Sequence, residues 1–137
     1  MSIEIFGSET KPRAIVIRGT HKIENVNFPT PTEFPLQLGL MLRPAGYEVK
    51  AHIHNQILRS IEGTQEFLLI RKGECTVSLY DETNINDIKI SLVANDAILL
   101  AYGGHSIFMN SECEILEIKQ GPYDQENDKS FIDGGNS

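Results

Sequence analysis

Hydrophobic and polar positions alternate along most of the chain. In Leu36, Leu38, Leu40 and Leu42, for example, every second residue is a leucine. Alternation with a period of two places successive side chains on opposite faces of a β-strand. No stretch keeps the period of an amphipathic helix over several turns. The pattern therefore predicts an all-β protein.

The predicted strands are short and are separated by the Gly, Pro, Asn and Asp residues that are typical of turns. They cover residues 3–6, 14–17, 23–26, 36–42, 47–54, 66–71, 75–80, 88–93, 97–100, 106–109 and 114–119. Many short strands of this kind indicate a sandwich or a barrel.

Length and charge limit the classes of partner. The chain has 137 residues, which suits one domain with one core. Its 19 acidic and 12 basic residues give a net charge of -7, which argues against a nucleic-acid partner. We find no signal-like segment at the N-terminus and no apolar run long enough to cross a bilayer. We expect no membrane partner and a cytoplasmic location.

The strongest candidate for chemistry is the pair His52 and His54. In a strand over residues 47–54 both imidazoles point to one face, so both can reach one metal ion. The opposite face would carry Val49, Ala51 and Ile53. The simpler interpretation is that the histidine face is only solvated.

Two further residues favour a metal site. Glu66 shares its strand face with Leu68 and Ile70, and an ionised carboxylate there is costly to bury without a cation or a hydrogen-bond donor. His105 lies between two apolar strands and adds a third imidazole. Three imidazoles and one carboxylate suit Zn²⁺, Mn²⁺, Fe²⁺, Ni²⁺ or Cu²⁺ about equally, so the sequence leaves the choice of metal open.

At these residues the chain resembles the cupin superfamily. Its first motif is matched by Gly46, five residues, His52-Ile-His54, and then by Glu66, six residues and Gly73. Eleven residues, 55–65, separate His54 from Glu66, which is more than the motif has.

Two details of the resemblance stay open. Glu62 lies nearer to the histidines and is an alternative ligand, but only Glu66 has the right distance to the following glycine. The second motif is irregular: one alignment matches His105, and an alignment shifted by one residue matches Gly103 and Asn110 but loses the histidine.

The resemblance implies a double-stranded β-helix, which is a jelly-roll barrel, and a homodimer. It also implies that His52, His54, Glu66 and His105 point to one metal ion at the open end of the barrel. On this basis we divide the chain into N-terminal strands over 1–35 that pack on the barrel or on a partner, a barrel over 36–120, and a polar C-terminal tail over 121–137.

Four other residues are candidates for contact with a substrate. Lys50 shares the histidine face and Tyr102 precedes a Gly-Gly turn, so both are candidate catalytic residues. Arg59 lies in the insert, where a guanidinium could hold a carboxylate or a phosphate, and Gln65 neighbours Glu66; both are candidate substrate-binding residues. A solvated lysine and a tyrosine that packs its ring are the simpler interpretations of the first two.

Three functions remain open. By analogy with the family, the first is a metal-dependent enzyme that acts on a small polar molecule, of the type that isomerises or epimerises sugars or sugar nucleotides. The second is a metal-dependent dioxygenase. The third is a cupin that binds a sugar or another small ligand without turning it over. We prefer the first, because the insert and the Gly103-Gly104 turn suggest a covered cavity.

Overall fold

The computed structural model describes residues 2–132 of the chain, and these residues form ten β-strands. The strands are β1 (Ile3–Gly7), β2 (Pro12–Ile17), β3 (Val26–Asn27), β4 (Leu40–Met41), β5 (Glu66–Lys72), β6 (Glu74–Tyr80), β7 (Asn86–Val93), β8 (Ala97–Leu100), β9 (Gly104–Met109) and β10 (Glu114–Lys119). Within the described residues, no helix has the length and apolar character needed to cross a membrane.

Two antiparallel sheets form the body of the protein. One has five strands in the order β1-β2-β8-β5-β10, and the other has three in the order β7-β6-β9. The short strands β3 and β4 form a separate pair. Every pairing in the described residues is antiparallel. Residues 2–132 contain strands and no helix, so the prediction of an all-β protein is confirmed.

The space between the two sheets holds a core that we call the inter-sheet core. Alternate residues of β2, β5, β6, β7 and β8 contribute its buried side chains, as a period of two requires. Its buried members are Ala14, Val16, Leu68, Ile70, Cys75, Val77, Leu79, Ile90, Leu92, Ile98 and Leu100.

The other face of the five-stranded sheet is also covered. Ile15 and Ile17 of β2 and Leu99 of β8 point away from the inter-sheet core and form a second cluster with Phe34 and Leu40. We call this group the outer cluster. Because both faces of β2 and β8 are buried, these strands are apolar at almost every position, as expected of central strands.

Ion pairs link the two sheets along one side of the sandwich. Arg18 contacts Glu4 of β1 at 2.6 Å and Asp96 at 3.1 Å, and it donates a hydrogen bond to the carbonyl of Ser91 in β7. Arg13 of β2 makes two hydrogen bonds of 3.0 Å to Asp87 of β7. These contacts join β7 to the neighbouring edge of the larger sheet.

The opposite side of the sandwich is open. Its borders are β9 and β10, which are edge strands of the two sheets and are joined by the short loop 110–113. Within residues 2–132, β9 pairs only with β6, so the hydrogen-bonding groups along its other edge have no partner strand. This side lacks the closure that the arginines provide on the other.

The predicted strand over 47–54 is wrong for the described chain. Residues 42–64 form no strand, and every one of them is exposed; we call this segment the arm. Alternation shows which face of a strand would be buried, but a strand forms only where its backbone groups find partners. Leu42 still donates a backbone hydrogen bond to Asn25, but within residues 2–132 no strand pairs with residues 43–64.

Two further predicted strands are shorter than expected. The strand predicted over 36–42 is reduced to Leu40–Met41, and the one over 23–26 is replaced by Val26–Asn27. Leu36 and Leu38 are nevertheless half-buried and pack against the outer cluster. The leucine alternation therefore identifies an apolar face, but residues 36–39 form no hydrogen bonds of a β-sheet that would make them a strand.

We predict that Arg18→Gln lowers the free energy of unfolding by about 2 kcal/mol at pH 7, because buried Asp96 loses a charged donor. The Arg18 guanidinium lowers the pKa of Glu4 from 4.5, so the contribution of this pair is present above that value and is lost as the pH falls through the lowered one. Urea denaturation of wild type and variant should therefore show a difference that shrinks in acid. Lys72→Gln, which breaks an exposed pair with Glu112, is the control and should have little effect. An unfolding free energy for Arg18→Gln equal to that of wild type would contradict this account.

Candidate functional site

The two sheets bring a carboxylate and an imidazole together at one end of the sandwich. Glu66 is the first residue of β5 and lies on the same face as Leu68 and Ile70, which belong to the inter-sheet core. His105 pairs with Leu79 across β9 and β6, so it also points between the sheets. Its Nε2 lies 2.8 Å from Oε1 of Glu66. Glu66 and His105 therefore meet from opposite sheets, and their predicted role as metal ligands stays a prediction.

The pair is largely shielded from water. The side chains of His105 and Glu66 are 29% and 19% exposed. The hydrogen bond from His105 is the main cause that lowers the pKa of Glu66 to about 2, so the carboxylate stays ionised over the physiological range.

Strand β10 adds two charged residues that sequence reasoning did not assign to the site. Lys119 pairs with Glu66 in the register of β10 and β5, and Glu117 lies opposite Leu68. The adjacent Glu66 raises the pKa of Glu117, because a protonated Glu117 can donate a hydrogen bond to the ionised carboxylate. The signal in the sequence was the alternation of Ile115, Glu117 and Lys119, which places all three on one face of a strand.

The segment after β10 folds back onto this end of the sandwich. Nζ of Lys119 lies 3.3 Å from Oδ2 of Asp128 and 5.1 Å from the ring centre of Tyr123. Ile132 lies against Gly104, the residue before His105. The described part of the predicted tail thus borders the candidate site, while residues 133–137 lie outside the described part of the chain.

A small cavity adjoins His105. Its volume is about 30 Å³, and its lining includes Arg13, Thr64, Tyr102 and the Gly103-Gly104 turn. A space of this size can hold a water molecule but is far below the several hundred cubic ångströms of a typical site for a small organic ligand. In the described chain, the space beside His105 is therefore a small polar cavity and is too small to enclose a substrate.

Tyr102 and Gln65 are anchored elsewhere. The Tyr102 ring packs edge to face on Phe34 of the outer cluster, with ring centres 5.7 Å apart, and Nζ of Lys11 lies 5.1 Å from its centre. Gln65 is buried, and its side-chain oxygen accepts no hydrogen bond within the described residues. The backbone N–H of Gln65 donates to the side-chain oxygen of Gln120. Tyr102 still borders the cavity beside His105, whereas Gln65 is held at the start of β5.

The other predicted residues lie in the arm. Lys50, His52, His54, Arg59 and the alternative ligand Glu62 are all exposed. Within residues 2–132, no three His, Cys, Asp or Glu side chains lie close enough together to hold a metal ion. The described chain thus brings together two of the four predicted ligands, Glu66 and His105, and leaves His52 and His54 apart from them.

The two histidines of the arm are nevertheless close to each other. Their ring centres are 5.1 Å apart. Two imidazoles that bind one ion with metal–nitrogen distances of about 2.0–2.1 Å have their ring centres about 5 Å apart. Nδ1 of His52 lies 2.7 Å from the carbonyl oxygen of Lys50 and must carry the hydrogen, because a carbonyl can only accept. Nε2 of His52 therefore keeps its lone pair for a metal.

The backbone requires a glycine at position 73, between the two sheets. Gly73 joins β5 to β6 with a φ of 88°, a region that side-chain-bearing residues rarely adopt, and a Cβ at this position would overlap the carbonyl oxygen of Glu112. A glycine is therefore required here to turn the chain from one sheet to the other.

We predict that Glu66 and His105 are energetically coupled. A double-mutant cycle with Glu66→Gln and His105→Gln should give a coupling of about 1 kcal/mol in the free energy of unfolding, because both side chains are mostly shielded from water. The same cycle on the exposed pair Lys72 and Glu112 is the matched control and should give a coupling near zero. Additive effects of the two site substitutions would show that the contact does not persist in solution.

Comparison with known proteins identifies no relative of this chain. The chain matches no protein-family model, no curated protein and no solved structure. The positions and chemistry of its own residues therefore carry the functional assignment.

Proposed function

We propose that this protein binds one divalent transition-metal ion at the open end of the sandwich and acts there on a small polar substrate. The observation that carries the proposal is the convergence of Glu66 and His105 from opposite sheets, with 2.8 Å between Oε1 and Nε2. A carboxylate and an imidazole are ligands that Zn²⁺, Mn²⁺, Fe²⁺, Ni²⁺ and Cu²⁺ all accept.

The donor set of the chain fits such an ion in its chemistry. Glu66 and His105 would hold the ion from the body of the protein, and His52 and His54 would hold it from the arm. The 5.1 Å spacing of the arm imidazoles and the free Nε2 of His52 support this role. The set is completed only when the arm reaches the open end, where we propose that it closes the sandwich into a double-stranded β-helix.

The reaction type that the surroundings favour is proton transfer, as in an isomerase or epimerase of sugars or sugar nucleotides. A divalent ion would supply Lewis-acid polarisation of a carbonyl group of the substrate. Glu117 lies beside Glu66 and is placed to give or take a proton, while Lys119 supplies a positive charge for an anionic group. Lys50 and Arg59 would arrive with the arm and add further cations.

Metal analysis tests the site. We predict that protein purified without a histidine tag binds about one metal ion per chain and that the His52→Ala/His54→Ala variant binds at least tenfold more weakly, since it loses half of the ligands. His21→Ala is the matched control, because His21 bonds to Ser2 outside the proposed site; it should bind metal as wild type does. Equal metal content in wild type and the double variant would refute the site.

Activity assays separate the reaction types. With the metal-loaded protein, we predict that deuterium from the solvent enters a sugar or sugar nucleotide in a panel of substrates, because the proposed reaction removes and returns a proton. Uptake of dioxygen with Fe²⁺ and small acids, without deuterium exchange, would instead support the dioxygenase. A rise in melting temperature with a sugar, without turnover of any substrate, would support a binding protein.

A further inference from the structure

The arm exposes apolar side chains that an isolated chain leaves in water. Ile53 and Leu58 are 86% and 103% exposed, and Val49, Ile57 and Ile61 are exposed as well. Single exposed apolar residues are ordinary on protein surfaces, but a run of them in one segment marks an interaction surface. These exposures also mean that the arm packs against little of its own chain.

The open side of the sandwich has room for an additional strand. Five strands on one side of the inter-sheet core face only three on the other, and β9 leaves one edge unpaired within residues 2–132. Glu117 on the inner face of β10 remains exposed. On the outer face of the three-stranded sheet, the side chain of Phe108 is 68% exposed. One more strand beside β9 would pair its edge and cover the inner face of β10.

The segment 47–54 of the arm has the pattern that this position requires. It alternates between a face with His52 and His54 and a face with Val49, Ala51 and Ile53, and its eight residues exceed the six of β9. In that position, with the histidines directed inward, they would face the same side as Glu66 and Glu117. The apolar face then shares the outer surface with Phe108, where cross-strand apolar pairs are favourable.

We propose that two copies of this chain exchange their arms, so that residues 47–54 of each copy pair as an edge strand with β9 of the other. We choose a second copy as the occupant, because residues 47–54 are exposed throughout and the same protein carries a strand edge without a partner that matches their pattern. Each site would then combine Glu66 and His105 of one subunit with the His52 and His54 that the other subunit contributes. The ligand role of the histidines rests on the proposed function, whereas the strand exchange does not.

The mass in solution tests the exchange independently of any metal. Light scattering on wild type should give twice the chain mass of 15.3 kDa. In Lys50→Pro/Ile53→Pro, one proline falls on the pairing edge whichever register the strand adopts, so the dimer should dissociate. Ile57→Pro/Ser60→Pro has the same spacing outside the pairing segment and should stay dimeric. A monomeric wild type, or a Lys50→Pro/Ile53→Pro variant that remains a dimer, would overturn the proposal.

Mixed dimers test whether the site is shared. His52→Ala/His54→Ala has an intact body, and Glu66→Gln/His105→Gln has an intact arm, so neither variant alone should bind metal at the wild-type level. Refolded together in equal amounts, they should recover about a quarter of the wild-type sites, since half of the dimers are mixed and each of these has one complete site.

The outcomes separate the two proposals. Metal binding by wild type without recovery in the mixture would overturn the exchange and leave the metal site in place. Absence of metal binding in wild type would overturn the proposed function, and the mass measurements would still decide on the exchange.

Discussion

The placement of the two sheets depends on a buried carboxylate. Asp96 is 4% exposed and accepts hydrogen bonds from Arg18, from the backbone N–H of Gly19 and from that of Val93. These donors come from the end of β2, the turn after it, and the end of β7, so one side chain joins both sheets. A carboxylate is tolerated at this depth only because it is fully hydrogen-bonded and paired with a guanidinium. Because these contacts hold the sheets together on the arginine side, the side bordered by β9 and β10 can stay open beside the candidate site.

Much of the fold follows from the local sequence. Strands β2, β5, β6, β7, β8 and β10 lie where the alternation predicts them, because each has a partner on at least one edge and a face in a core. Residues 47–54 have an equally clear pattern but form no strand in the described chain. Alternation encodes the faces of a strand, whereas the partner is a long-range property that the segment itself does not carry.

The sequence likewise identified some residues of the candidate site and missed others. Glu66 was identified from the cost of burying its charge and from its distance to Gly73, and its contact with His105 fits that reasoning. Glu117 and Lys119 were missed because a charge on an edge strand looks like ordinary solvation until the neighbouring strand is known. Tyr102 was a candidate because it precedes two glycines, but its ring packs on Phe34. A local motif identifies the type of a side chain more readily than the direction of its ring.

The contact between Glu66 and His105 also bears on how the protein would behave when metal is scarce. The imidazole and the carboxylate satisfy each other at 2.8 Å, so the departure of an ion would leave behind a hydrogen-bonded pair and no stranded charge. Small zinc domains collapse when they are stripped of their ion, because the ion replaces their core. Here eleven buried residues form the inter-sheet core, so we expect the protein to stay folded without the proposed ion and to rebind it. If the proposed site binds an ion, folding would not depend on metal supply, and the chain could accumulate before the ion arrives.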